Sequence, residues 1–313
     1  MKTKKLIAIA LTAIMTLSMA GWGTASKKSA TTATTNKKLV IWAWDGTFNV
    51  VAAKEAKAIY LKDHKGVDIQ IVEMAQADIV QKLNTNLSSN TTAGLPNIVL
   101  IEDYRSQNFL TSYPDAFKDM SSKVKPTDFM NYKLKSDSLN GKLYGIPFDS
   151  GVTALFYRTD LIEKAGYKKS DMENMTWDKF IEIGKAVKVK TGKAMLTLDP
   201  NDLALLRSMI QSCGQWYVKD DGKTINLENN VALKEAIKTY KTIMDAGIAK
   251  QVSDWDQFVS AFQKGDVASV PSGCWVSSSI TKATDQNGKW AVAPIPRLEA
   301  VKTSVNASNI GGS

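Results

Sequence analysis

Short β-branched and aliphatic runs alternate along this chain with segments whose apolar residues recur at helical spacing. That alternation restricts the fold to α/β architecture with largely parallel sheets. The first strand covers residues 39–42. A helix follows over 50–64, with Val51, Ala52, Ala56, Ile59 and Tyr60 at helical spacing and Gly66 ending it. Residues 67–72 are strand-like, and Ile79, Val80, Leu83 and Leu87 mark a second helix that Asp78 is placed to cap. Residues 96–101 make a third strand, apolar enough to be buried on both faces. After a Pro- and Tyr-rich passage comes a strand over 152–158, then a helix opened by Thr176-Trp177 and running to about 188. Val231 to Met244 marks the next helix, closed by Gly247, and Trp255, Phe258, Val259 and Phe262 mark another. Strands over 267–270 and 290–293 complete the pattern. A crossover between two lobes is placed near 149–152, where Ser150-Gly151 can absorb backbone rotation.

The N-terminus precedes this pattern with a different kind of sequence. Lys2, Lys4 and Lys5 stand before an apolar run from Leu6 to about Met19, followed by Ala20-Gly21, the layout of an export signal. The run is shorter than the roughly 20 residues a spanning helix needs. Leu17-Ser-Met-Ala-Gly21 matches a bacterial lipobox up to the lipid-accepting cysteine, where Trp22 stands instead. An indole carries no thiol, so release rather than lipid anchoring is expected. Residues 24–38 are almost wholly Thr, Ser, Ala and Lys, a tether with nothing to bury.

The tether changes the meaning of the charge. Of a net +9, three lysines lie in the leader and four (Lys27, Lys28, Lys37, Lys38) in the tether, with no acids in either, which leaves about +2 for the remainder. A nearly neutral body gives no electrostatic footprint for nucleic acid. His64 is the single histidine, at the end of a charged helix, where a solvated role is expected. A multi-histidine metal site is thereby excluded; no P-loop, nucleophile elbow or Cys-x-x-Cys occurs, and no cofactor is expected. Cys213 and Cys274 are the only cysteines, to be read either as a disulfide or as two independent buried thiols.

Chemistry concentrates at strand ends. The first strand delivers Trp42, Trp44 and Asp45 where a nucleotide-binding chain would carry glycines. A flat aromatic face beside hydrogen-bonding acceptors suits a sugar ring, which has an apolar C–H face and a hydroxyl rim. Trp44 and Asp45 follow the first strand, Glu73 and Gln76 the second, and Asp103 the third. Asp149 sits at the crossover, either touching ligand or holding the turn. Tyr157, Asp199, Trp216 and Trp275 come from the second part, and Asn309 from a return crossover. Glu73 reads equally as a solvated strand-end charge, and Asp199 before Pro200 as a helix cap. Trp42, Trp177, Trp255 and Trp290 read as packing residues.

Several of these segments together resemble the family 1 extracellular solute-binding proteins, the sugar receptors of ABC importers, and most closely their lactose/arabinose type. The carrying stretches are Ile41-Trp-Ala-Trp-Asp45, Val72-Glu-Met-Ala-Gln-Ala-Asp78, Gly94-Leu-Pro-Asn-Ile-Val-Leu-Ile-Glu-Asp-Tyr104 and Tyr144-Gly-Ile-Pro-Phe-Asp-Ser-Gly151. Further along they are Leu155-Phe-Tyr-Arg158, Thr176-Trp-Asp-Lys179, Gly273-Cys-Trp275 and Asn306-Ala-Ser-Asn-Ile-Gly-Gly-Ser313. The resemblance implies a two-lobe periplasmic-binding-protein-like fold of type II, with crossovers near 149–152 and 297–310. It implies a signal peptide over 1–21, a tether over 22–38, an N-terminal lobe over 39–149 and a C-terminal lobe over 150–305. Residues 306–313 would return to the first lobe, in a chain truncated relative to the family. The implied function is non-enzymatic: an extracellular, monomeric receptor that closes on a mono- or oligosaccharide and presents it to ABC importer membrane subunits. A secreted carbohydrate-active enzyme, or a receptor of the same fold for a non-sugar solute, are the alternatives.

Overall fold

The computed structural model describes residues 37–219 and 224–313, and residues 38–313 pack as one compact unit. The expected leader and nearly all of the expected tether lie outside the described residues. Strand β1 (Lys37–Ala43) takes in Lys37 and Lys38, the last two residues assigned to the tether.

The apolar run of β1 puts it at the centre of a first sheet. The elements α1 (Asn49–Asp63), β2 (Val67–Glu73), α2 (Gln76–Ser88) and β3 (Ile98–Val99) follow, and the strand order is β2-β1-β3. β1 and β3 run parallel, with Ile41 opposite Ile98 and Trp42 opposite Val99. Trp42 is buried, as its place before the strand end implied. Two expectations are corrected here. The third strand keeps only two residues, and Ile98 is 53 % exposed instead of covered on both faces. Beyond Leu100 the backbone leaves β1 and pairs with the last residues of the chain, Ile101 and Ser313 exchanging two hydrogen bonds. Asp78 does not cap α2: the N-cap is Ala75, without a side-chain bond, and Asp78 lies in the first turn, where its charge complements the positive helix end.

The Pro- and Tyr-rich passage holds α3 (Asp103–Ser112), α4 (Asn131–Ser136) and a hairpin of β4 (Ser138–Leu139) and β5 (Lys142–Leu143). Then come β6 (Thr153–Arg158), α5 (Thr159–Lys164), α6 (Trp177–Thr191), β7 (Leu196–Leu198) and α7 (Ala204–Gln211). The last elements are α8 (Val231–Asp245), β8 (Ala249–Gln251), α9 (Trp255–Gln263), β9 (Ser269–Gly273), α10 (Ser277–Ile280) and β10 (Trp290–Ala293). Local chemistry sets several boundaries. Thr176, Asn230 and Asp254 cap α6, α8 and α9 by accepting a backbone N–H three residues on. Gly192 ends α6 in the left-handed conformation, at φ 70°.

The second sheet has the order β10-β6-β9, and both neighbours of β6 are antiparallel. This corrects the expectation of largely parallel sheets, which holds for β1–β3 and β7–β8. A buried central strand reads as one apolar run whichever way its neighbours point, so composition carries burial but not direction. The largest core lies on this second sheet, with Leu155, Tyr157, Trp177, Phe180, Met195 and Met209 in one cluster. A second cluster gathers Phe156, Phe262, Val270 and Val276, with Trp275 and Trp290 against it.

The chain passes between the two sheets twice, and the two passages lie side by side. Thr153 N donates to Ser308 O at 3.0 Å and Ile310 N to Gly151 O at 2.9 Å. Gly151 has φ +51°, and a Cβ there would stand 2.1 Å from Gly311 N, so only glycine fits this crossing. Cys213 is buried and Cys274 exposed, both as free thiols, which differs from the disulfide reading, and the exposure of Cys274 differs from the reading as two buried thiols.

Candidate ligand-binding cleft

The end of β1 and the start of α10 meet across the seam between the halves. Asp45 holds φ 62°, a left-handed conformation that a short acceptor side chain tolerates by bonding its own backbone. Its Oδ1 accepts from Thr47 N at 2.9 Å and Thr47 Oγ1 at 2.6 Å. This turn presents Thr47 Oγ1 to Ser279 Oγ at 3.1 Å and Ser278 Oγ at 3.4 Å, both on the opposite half. The Glu73 side chain is exposed on the same rim, close enough to Gly46 that a Cβ there would meet its Oε1 at 2.7 Å. Trp44 is half-buried against Ala43, Val50 and Leu100. Across the seam Trp275 is half-buried, its ring 5.3 Å from that of Trp255, which in turn stacks on Phe258 at 5.3 Å. Ser278 Oγ donates to Trp275 O, tying the indole's backbone to the hydroxyl row that faces Thr47.

A second contact across the seam is built around Tyr104, at the start of α3. The Arg207 guanidinium, from α7 on the other half, lies 4.1 Å from the Tyr104 ring centroid, and that of Arg105 lies 4.8 Å from it. Glu102 accepts from Gln76 Nε2 and, weakly, from Tyr104 Oη. Its Oε2 lies 3.2 Å from Arg105 Nε without hydrogen-bond geometry. Burial pushes the Glu102 carboxyl above the usual carboxylate range against the opposing pull of Arg105 and Arg207. Burial, with the Glu102 charge behind it, pushes the Tyr104 phenol up to about 12. Arg207 is held by Asp202 at 2.6 Å. Asp103, Tyr104, Arg207, Gln211 and Asn309 to Gly311 enclose a cavity of about 10 Å³.

Eight buried side-chain polar atoms lack a hydrogen-bond partner among the described residues, and four belong to this contact: Glu102 Oε2, Arg105 Nε, Arg207 Nε and Asn309 Oδ1. Buried orphans are costly and call for an explanation. Two are donors and two acceptors. The charges alongside are matched, Arg105 with Glu102, Arg207 with Asp202, and Lys133 with Asp103 at 2.5 Å.

The residues nominated from sequence fall in different parts of the structure. Trp44, Asp45, Glu73, Gln76 and Trp275 lie on these two contacts or beside them. Trp216 is half-buried with its ring 4.5 Å from Tyr217; the Arg207 charge reaches Tyr217, whose phenol burial pushes up. Asp103, Asp149 and Asn309 are committed to the crossovers. Asn309 Nδ2 donates to Asp103 Oδ2 at 3.2 Å, and Lys133 Nζ bonds both Asp103 and Gly312 O. Asp149 Oδ1 accepts from Gly312 N at 2.7 Å, so of its two readings the turn-holding one describes the geometry. Asp199 likewise spends Oδ1 on Asn201 N in the turn after β7. Tyr157 is corrected: at 1 % exposure it belongs to the core of the second sheet instead of an exposed strand end. The alternation along β6 is lost because both faces are covered. Sequence reasoning missed Thr47, Glu102, Tyr104, Arg105, Arg207, Ser278 and Ser279. The quoted Glu102-Asp-Tyr104 stretch held the only available signal, an aromatic between acids and an arginine at a helix start.

Comparison with known proteins agrees with this architecture. The lactose-binding protein of Rhizobium radiobacter is 46 % identical over 93 % of this chain and 68 % of its own length. The arabinooligosaccharide-binding protein of Bacillus subtilis is 30 % identical over 95 % of this chain and 68 % of its own. Among solved structures, the ABC transporter associated binding protein from B. animalis subsp. lactis, in complex with β-1,6-galactobiose, superposes with a TM-score of 0.74. It is 25 % identical and covers 89 % of this chain and 67 % of that one. The fold is thus the two-lobe α/β type of periplasmic sugar-binding proteins. The sequence model for bacterial extracellular solute-binding proteins matches residues 55–313, a span holding both sheets' crossovers and the Tyr104–Arg207 seam, and this chain is a member of that family.

Proposed function

We propose that the chain is an exported receptor that captures a neutral di- or oligosaccharide between two hinged lobes and delivers it to the membrane subunits of an ABC importer. The lobes would comprise residues 39–149 and 150–305, with 306–313 returning to the first. The observation that carries this reading is the balance of the seam. One donor, Arg207 Nε, and one acceptor, Asn309 Oδ1, stand without a partner beside the loosely met Glu102–Arg105 pair, among charges that cancel in pairs. An anion would satisfy donors only and a polyamine acceptors only, and either would also meet charge of its own sign. A hydroxyl both donates and accepts, so a polyol satisfies the donor and the acceptor without bringing charge. Tyr104, Trp44 and Trp275 supply aromatic surface for the apolar face of the ring. The relatives that bind lactose, arabinooligosaccharide and galactobiose support the same ligand class.

Release outside the cell fits the leader and Trp22 at the lipobox position. Calorimetric titration with lactose, β-1,6-galactobiose and arabinotriose tests the reading: stoichiometric binding of at least one, without products on chromatography, is the expected result. Binding of phosphate or spermidine in their place would refute the ligand class, and turnover would refute the receptor.

A further inference from the structure

Glu102 occupies the N-cap of α3, yet its carboxylate takes none of that helix's backbone N–H groups. Its backbone is fixed on two sides. Arg105 N and Ser106 N donate to Glu102 O at 2.8 and 3.2 Å, and Glu102 bridges to Gly312 on the return crossover. The side chain, 17 % exposed, turns onto two polar groups of its own half. Glu102 Oε1 accepts from Gln76 Nε2, at the start of α2, and from Tyr104 Oη at 3.4 Å. All three residues belong to the first half, so their arrangement does not depend on how closely the two halves approach.

The chemistry of the carboxylate decides how both partners are turned. When ionised it has acceptors only, so whatever faces it must donate. Tyr104 has one hydroxyl proton, and committing it to Glu102 leaves the phenol oxygen with lone pairs alone. Gln76 commits Nε2 and turns Oε1 away from the carboxylate; none of the described residues donates to that oxygen. Arg105 from the same helix and Arg207 from α7 favour the ionised form against burial. Facing it from α2 is the neutral Gln76, and from the return crossover a backbone, Gly312. A group at position 102 that could donate as well as accept would release Nε2 to turn outward.

We propose that Glu102 is a positioning residue that sets the hydrogen-bond polarity of the cleft: by taking the donors of Gln76 and Tyr104 it makes both present acceptors, so a ligand hydroxyl at this end must donate. A sugar with a free hydroxyl here is accepted. An analogue carrying an acceptor-only group in its place is rejected, because acceptor then faces acceptor. The ligand half of this rests on the proposed sugar reading; the orientation of Gln76 is measurable without any sugar.

The test compares the parent with Glu102→Gln, which keeps the size of the side chain but can donate as well as accept. Lactose and its monodeoxy and monodeoxyfluoro analogues are titrated calorimetrically; fluorine replaces a hydroxyl without a proton to donate. In the parent, at least one position is expected where the deoxy and fluoro compounds both bind about two- to tenfold more weakly than lactose, the range of one hydrogen bond. At that position Glu102→Gln should raise the fluoro-to-lactose affinity ratio by about the same factor. A role confined to stability would leave that ratio alone. Identical discrimination in the two proteins, with a native melting temperature, would overturn the proposal.

A second measurement needs neither ligand nor a folded Glu102→Gln. The Gln76 side-chain amide signals, assigned by their loss in Gln76→Ala, are followed by NMR against pH in the parent. They should shift with one carboxyl ionisation above the usual carboxylate range, and Gln76 signals that follow no ionisation would refute the hold of Glu102 on this amide. If the parent binds no lactose compound, the sugar reading fails while the amide titration still decides the orientation.

Discussion

Trp275 and Tyr157 show how differently two aromatic residues of one half are used. Both follow the apolar patterning of a strand, but Tyr157 is sealed between covered faces of β6. Trp275 instead leaves β9 at Gly273, where a Cβ would stand 2.2 Å from its own indole nitrogen. The glycine thus allows the indole to fold back beside the seam, next to the hydroxyl row facing Thr47. An indole so placed offers a flat surface at the rim while packing against the apolar cluster that includes Val276 and Phe262. Trp275→Ala is expected to weaken sugar binding at least about tenfold, equivalent to ~1.4 kcal/mol. The melting temperature should fall as well, since part of the ring is packed. Fluorescence or calorimetric titration below the lowered melting point checks it, and an unchanged dissociation constant would remove Trp275 from the site.

At the scale of elements, the paired crossovers decide how the halves are joined. Gly151 and Gly311 approach so closely that Gly151→Ala would place a methyl against backbone on top of a φ of +51°. The conformation alone costs about 1–3 kcal/mol for a residue with a side chain. We expect Gly151→Ala to lower stability by more than that range in urea unfolding, because the clash is with backbone; a change under ~0.5 kcal/mol would show the crossing to be slack. The Ser150-Gly151 signal was legible because turns need residues with unusual conformational freedom, and helices with a cap and an apolar stripe were legible for the same local reason. α6, α8 and α9 occur within a few residues of expectation. What sequence could not carry was anything decided by a partner far along the chain. The direction of β9 and β10 depends on β6; the length of β3 depends on Ser313. Tyr104 becomes a seam residue only because Arg207 arrives from α7. Asp103 reads as a polar strand-end residue and Asn309 as a crossover residue, but whether such residues meet a ligand or each other is fixed by tertiary placement.

Across the whole molecule, buried acids gather where the chain crosses between halves, and they set its response to pH. Asp137 is 1 % exposed, with Oδ2 lacking a partner. Burial raises its pKa above the ordinary carboxylate value, and the Asp103 charge adds to the rise. Bonds to Ser313 and Ser106 and the charge of Lys133 oppose it. Asp149, beside Gly312, is raised by burial in the same way, again with Asp103 adding and Lys133 opposing. A carboxyl whose pKa is higher folded than unfolded keeps its proton longer in the folded state. Its contribution is fully present below the ordinary value of about 4 and is lost as pH climbs through the raised one. Stability from these two groups therefore declines with rising pH, opposite to the usual paired carboxylate. Asp137→Asn removes the ionisation while keeping the shape. It should match the parent below about pH 4 and exceed it at pH 7, with a flatter pH profile between. Chemical unfolding at both pH values reads the difference directly. An Asn variant less stable than the parent at pH 7 would mean that the ionised Asp137, held by Ser313, Ser106 and Lys133, strengthens the crossover, and that burial is not the dominant influence on that carboxyl.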